Sequence, residues 1–136
     1  MSVGLVSVRG MDSWTVERHL DGKPTEVVGL YHRFIELAEG CGSFDYAVSK
    51  SAIVLKGSRR GFAGVVPGAA GLKGFFDLRR EVSDRRISRC EPYTKRLFVA
   101  QWSAVSAGDL DDEFAGLLRE AYAVGQGVHL EGPPLR

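Results

Sequence analysis

Of the chain's 18 basic side chains, 12 fall between residues 50 and 96, and this is where the sequence could do chemistry. The stretch "LKGSRRGFAGVVPG", residues 55–68, sets Arg59 and Arg60 side by side between glycines. Guanidinium groups present forked donors that match phosphate and carboxylate oxygens, so the chemistry on offer is anion binding. Residues 50–96 carry only 4 acidic side chains against those 12 basic ones, a net of +8. Residues 1–49 carry −3 and residues 97–136 carry −4, so a total of +1 hides a basic middle between acidic ends. The expected anion-binding set is Arg59, Arg60, Lys73, Arg79, Lys95 and Arg96, with Lys56, Arg80, Arg85, Arg86 and Arg89 in the same basic segment. In "LKGFFDLRR", strand alternation sends Leu72, Phe76 and Leu78 one way and Lys73, Phe75, Asp77 and Arg79 the other. An aromatic ring between bases on an open face suits single-stranded nucleic acid. The competing account is that these bases solvate the sheet edges, block aggregation and pair with the acidic ends.

Other motifs point less far. "GSRRGFAG" lacks the Gly-Lys-Ser/Thr of a phosphate-binding loop and the GxGxxG of a dinucleotide fold. It also runs from strand to strand, whereas phosphate cradles open onto a helix. The stretch is first a hairpin turn, with Arg59 and Arg60 at its tip. His19, His32 and His129 have no HxxxH or HExxH company, and Cys41 and Cys90 form no CxxC, so no metal or cofactor is expected. His32 reads as a surface histidine on a helix, and Trp14 and Trp102 as core residues. Tyr93, Lys95 and Arg96 in "EPYTKRLF" form a polar cluster at a turn or on a pocket rim. Asp111, Asp112 and Glu113 suit the first turn of a helix, where the dipole favours acids. No spacing suggests a nucleophile with its base, so no catalytic residue is assigned.

These side chains need a scaffold, and 136 residues are enough for one domain with its own core. Apolar residues at 44% and charged residues at 26% are ordinary for a globular chain. Two cysteines cannot build a disulfide framework, and both are expected as reduced thiols in a cytoplasmic protein. The stretch "MSVGLVSVRGM" is broken by Arg9 and reads as neither signal peptide nor membrane span. Residues 1–11 are expected as a flexible leader with Met11 a second candidate start, residues 12–128 as the domain, and residues 129–136 as a tail.

"DSWTVERHLDG" predicts a short helix capped by Ser13 or Thr15 and stopped at Gly22. "KPTEVVGLYHRFIELAEG" predicts a longer one, with Pro24 in its first turn, Val27, Tyr31, Phe34 and Ala38 on its buried stripe, and Gly40 as its stop. The period then changes. "FDYAV", "AIVLK", "GFAGVV", "LKGFFDLR" and "RLFVAQWSAV" are short, rich in β-branched and aromatic residues, and separated by turn residues. Connections this short join antiparallel neighbours. Residues 80–95 read as a longer, charged connection containing Pro92. "GDLDDEFAGLLREAYAVGQG" predicts a closing helix capped by Asp109, with Leu110, Phe114, Leu117, Ala121 and Val124 buried. The expected fold is α+β: an antiparallel sheet of about five strands, with two N-terminal helices and one C-terminal helix packed on one face.

Taken together, "WTVERHL", "LYHRFIEL", "CGSFDYAV", "LKGSRRGFAGVVP", "FDLRR", "PYTKRLFV" and the closing helix resemble a small bacterial domain of unknown function, the family numbered fifty-six fifty-five, over about residues 13–130. The resemblance implies one compact α+β domain, found alone or at the ends of larger proteins, and assigns no residue a role. On function, the residues support a non-catalytic binding module with a basic sheet or loop surface for an anionic partner such as nucleic acid. The alternatives are a ligand-binding protein or enzyme with a pocket between sheet and helices, and a homodimerising interaction domain.

Overall fold

The structure is a computed structural model and describes residues 14–131. The expected leader and the last five residues lie outside that range. Helix α1 spans Val16–Leu20, and the Thr15 side chain accepts from the Arg18 N–H at its start. Gly22 follows with φ 75, a left-handed turn that glycine adopts without cost. Helix α2 spans Thr25–Glu39 directly after Pro24 and ends at Gly40. It buries Val27, Leu30, Tyr31, Phe34, Ile35 and Ala38, the stripe its 3.6-residue period demands.

Six strands follow: β1 (Asp45–Val48), β2 (Ile53–Lys56), β3 (Gly61–Pro67), β4 (Leu72–Leu78), β5 (Ile87–Thr94) and β6 (Leu97–Ala104). They form one sheet in the order β1-β2-β3-β4-β6-β5, with every neighbouring pair antiparallel. Helix α3 spans Asp112–Gly125 and packs on β3, β4 and α2. A short helix α4, Val128–Glu131, closes the described chain.

The core lies between α2, α3 and one sheet face. That face carries Ile53, Leu55, Ala63, Val65, Leu72, Phe76, Leu78, Ala100, Trp102 and Ala104, all at most 2% exposed. Phe34 from α2 and Phe114 from α3 meet Phe76 and Trp102 there, with ring centroids 4.9–6.2 Å apart. Gly74 makes room for this layer, since a Cβ on it would overlap the Gly64 carbonyl and the Trp102 ring. Aromatic packing fills the space between these helices and the sheet.

The structure differs from the sequence reading at three places. The connection expected over residues 80–95 contains β5, which makes six strands rather than about five. β5 is an edge strand with bulges at Ile87/Arg89 and Pro92/Thr94, so its outward residues do not alternate. An edge also tolerates Pro92, whose missing N–H costs no ladder bond. The cap of α3 is Asp111, which accepts from Phe114 N–H, and not Asp109. Asp109 instead closes a 3₁₀ turn, Ala107–Asp109, in a reciprocal box with Ser106. Finally, part of the expected tail is α4, which carries a buried His129.

Candidate anion-binding site

Antiparallel pairing decides which bases meet. β2 ends, and β3 begins, at the turn holding Arg59 and Arg60. β4 ends at Leu78, paired with Phe98 near the start of β6, so Arg79 leaves the sheet at the same end. β5 and β6 are joined there by the two-residue turn Lys95–Arg96. Three segments far apart in sequence therefore deliver Arg59, Arg60, Arg79, Lys95 and Arg96 to one end of the sheet. Lys73 is the second residue of β4, beside Ser103, and belongs to the opposite end. It is the expected site residue that the fold leaves out.

The end of α3 and the short helix α4 cross this basic end. The backbone N–H groups of Arg59 and Arg60 both donate to the Gly125 carbonyl, at 2.9 and 3.2 Å. Ser58 N–H donates to Gln126 Oε1 at 2.9 Å. The Arg59 side chain lies against Gly127, whose φ of 91 needs glycine. Arg96 donates through one guanidinium nitrogen to the His129 carbonyl at 2.6 Å. The His129 ring is buried at 8% exposure, and its Nδ1 has no hydrogen-bond partner among the described residues. Burial first, and then the charges of Arg60, Arg96, Arg79 and Arg59, push this imidazole below its ordinary value.

Arg60 is held from below. It pairs with Asp77, which is 4% exposed and is the only acidic residue of β4. Burial raises the Asp77 carboxyl above its usual value, and the Arg60 charge only partly opposes this. Asp77 thus anchors Arg60 to β4 and lies buried beneath it. Tyr93, near the end of β5, is 59% exposed, and the Arg60 guanidinium carbon stands 5.9 Å from its ring centroid. Tyr93 is the exposed aromatic beside the bases. Phe75, which alternation suggested for that role, lies half-buried with its ring against Gly64, where a Cβ would overlap it. Phe75 shares its face of β4 with Lys73, while Tyr93 is the ring that stands beside Arg60.

Other bases of the segment are engaged elsewhere. Arg80 binds Glu120 of α3 through two hydrogen bonds of 2.8 and 3.0 Å. Arg85 pairs with Asp109 and Asp111, and Arg89 with Glu91 on its own strand. Arg86 has a side chain only 2% exposed and bonds Asp84, Asp111 and the Asp109 carbonyl. The competing account of the basic segment, pairing with the acidic C-terminal end, therefore holds for Arg80, Arg85 and Arg86. In contrast, Arg59, Arg79 and Lys95 have no carboxylate within 4 Å among the described residues.

A cleft of about 330 Å³ opens beside this end, lined by Asp45, Lys56, Ser58, Tyr122 and Gln126. The Tyr122 hydroxyl donates to the Ser43 carbonyl at 2.8 Å and closes its floor. A second cleft, between the loop after β4 and α3, is lined by Arg80, Val82, Asp84 and Glu120. Among the described residues no group of three or more His, Cys, Asp or Glu side chains is set to hold a metal. Cys41 and Cys90 are free, and burial pushes the Cys41 thiol up. His32 is exposed on α2, whereas the buried His19 donates from Nε2 to the Ser49 carbonyl at 2.7 Å. No helix among the described residues is long and apolar enough to cross a membrane. Compared with known proteins, the chain matches no family model, no curated protein and no solved structure.

Sequence reasoning missed His129 and the anchoring role of Asp77. One signal for Asp77 was available: a lone carboxylate near the end of a mostly apolar strand needs a cationic partner when buried.

Proposed function

We propose that this chain is a non-catalytic binding module, and that its partner is single-stranded nucleic acid held at the arginine end of the sheet. The observation that carries this reading is the convergence of Arg59, Arg60, Arg79, Lys95 and Arg96 from three separate segments at one end of the sheet, with exposed Tyr93 beside Arg60. Guanidinium groups take phosphate oxygens, and a tyrosine ring stacks on any base. The burial of Asp77 supports the reading further, because its charge is spent on Arg60 and not presented to the partner. The resemblance to a domain family without an assigned activity adds no residue, so the reading rests on the geometry.

The test is fluorescence anisotropy with a labelled single-stranded oligonucleotide at several salt concentrations. About four phosphate contacts give a log–log salt slope near −3, at about −0.7 per contact. Replacing Arg59 and Arg79 together with alanine should halve that slope and weaken binding to all sequences alike, because phosphate contacts carry no sequence information. Lys73→Ala, at the far end of the sheet, should leave binding unchanged. Absence of binding at about 50 mM salt and high micromolar protein, or an equal loss in Lys73→Ala, rejects the reading.

A further inference from the structure

His129 occupies an unusual position for a buried imidazole. It sits on α4 where that helix crosses the arginine end, with Nδ1 unpartnered among the described residues. The charges that act on it come from every element of that end. The β2–β3 turn supplies Arg59 and Arg60, the end of β4 supplies Arg79, and the β5–β6 turn supplies Arg96 with Lys95 adjacent, while Asp77 lies one step away, paired with Arg60. Tyr93 stands beyond Arg60. In this setting a protonated imidazole would be a further cation among arginines and would have left water, two conditions that both oppose it. Asp77 gives little relief, because Arg60 already uses it.

We propose that phosphate binding at this end is coupled to uptake of one proton by His129, which makes His129 the site's conditional cation. This inference rests on the reading that the arginine end binds phosphate groups. A phosphate among the arginines reverses the local field and favours the imidazolium. Linkage then fixes the direction: whatever the anion adds to proton affinity, the proton adds to anion affinity. The free histidine titrates below its ordinary value and the bound one above that, so affinity must rise as pH falls through the interval between them.

The phosphate could belong to a strand's backbone or be free in solution, and two arms separate these sources. Anisotropy with a labelled oligonucleotide lacking a terminal phosphate reads the first, and inorganic phosphate as competitor reads the second. At constant ionic strength, binding should be about tenfold tighter at about pH 5.5 than at about pH 7.5, and His129→Gln should reduce this to about twofold or less. Competition by inorganic phosphate at millimolar concentration, strengthening in the same way with acid, assigns the coupling to phosphate itself. Because phosphate itself loses charge with acid, this arm is read as native against His129→Gln, and an identical pH profile of competition in the two overturns it. Oligonucleotide binding whose affinity is independent of pH, or as pH-dependent in His129→Gln as in the native chain, overturns the coupling and leaves the binding reading standing. No binding at any pH rejects both. A second measurement needs no variant: the His129 ring followed by NMR in the native protein. Its midpoint should lie below the ordinary histidine value and rise when oligonucleotide is added. A midpoint that does not move on saturation overturns the proposal.

Discussion

Arg86 ties the loop after β4 to the start of α3, and removing it tests how this fold uses its charges. Its side chain is 2% exposed and donates to Asp84 Oδ1 and Oδ2 at 2.7 and 2.8 Å, to the Asp109 carbonyl at 2.7 Å, and to the Asp111 carboxylate. Arg86→Met keeps an unbranched apolar stem and removes every one of these bonds. Breaking a buried ion pair from one side costs about 3–5 kcal/mol, because the partners are left charged and unpaired. Asp84 and Asp111 are 17% and 40% exposed, so water can recover part of the loss. The expected cost is therefore at the low end, about 3 kcal/mol, or about 10 °C in Tm for a chain of this size. Urea denaturation at neutral pH reads it directly.

The acid limb gives an independent check on the same clamp. Hydrogen bonds from Arg86 hold the Asp84 carboxyl down at about 2, below its ordinary range. A carboxylate with a depressed folded value stabilises the fold above its unfolded value near 4 and loses that contribution as pH falls toward 2. The native protein should lose stability through that window, and Arg86→Met should lose less. A cost under about 1 kcal/mol, with an unchanged acid limb, would refute the assignment of Arg86 as a buried clamp.

Phe34→Ala and Phe114→Ala each empty a fully buried ring site in the aromatic layer and should each cost about 3–5 kcal/mol by chemical denaturation; under about 0.5 kcal/mol for both would contradict the packing. Cys41 and Cys90 should both take an alkylating label without prior reduction after unfolding, as read by mass spectrometry, and a crosslinked peptide would contradict this.

Local pattern was enough for most of the scaffold. The stripe of Val27, Tyr31, Phe34 and Ala38 and the stripe of Phe114, Leu117 and Ala121 announced two helices, because helical periodicity and burial are read from neighbours in sequence. β1, β2, β3, β4 and β6 were legible for the same reason: their apolar and β-branched residues run between turn signals. β5 was not, because an edge strand with Pro92, Arg89 and Glu91 has one ladder and little to bury, and its bulges erase the period of two.

The amino-acid sequence by itself also determined that the middle of the chain is basic and its ends acidic. Which bases stand together was decided only by the tertiary structure. Arg80, Arg85 and Arg86 lie in the same run as Arg79, yet the first three meet carboxylates of the closing turn and helix while Arg79 stays with Arg59 and Arg96. Lys73 is six residues from Arg79 and sits at the other end of the sheet, because a strand converts sequence separation into length. His129 was invisible as a member of the group, since only the return of α3 across the β2–β3 turn brings α4 to the arginines. Charge is a property of composition, and its grouping is a property of strand direction and register.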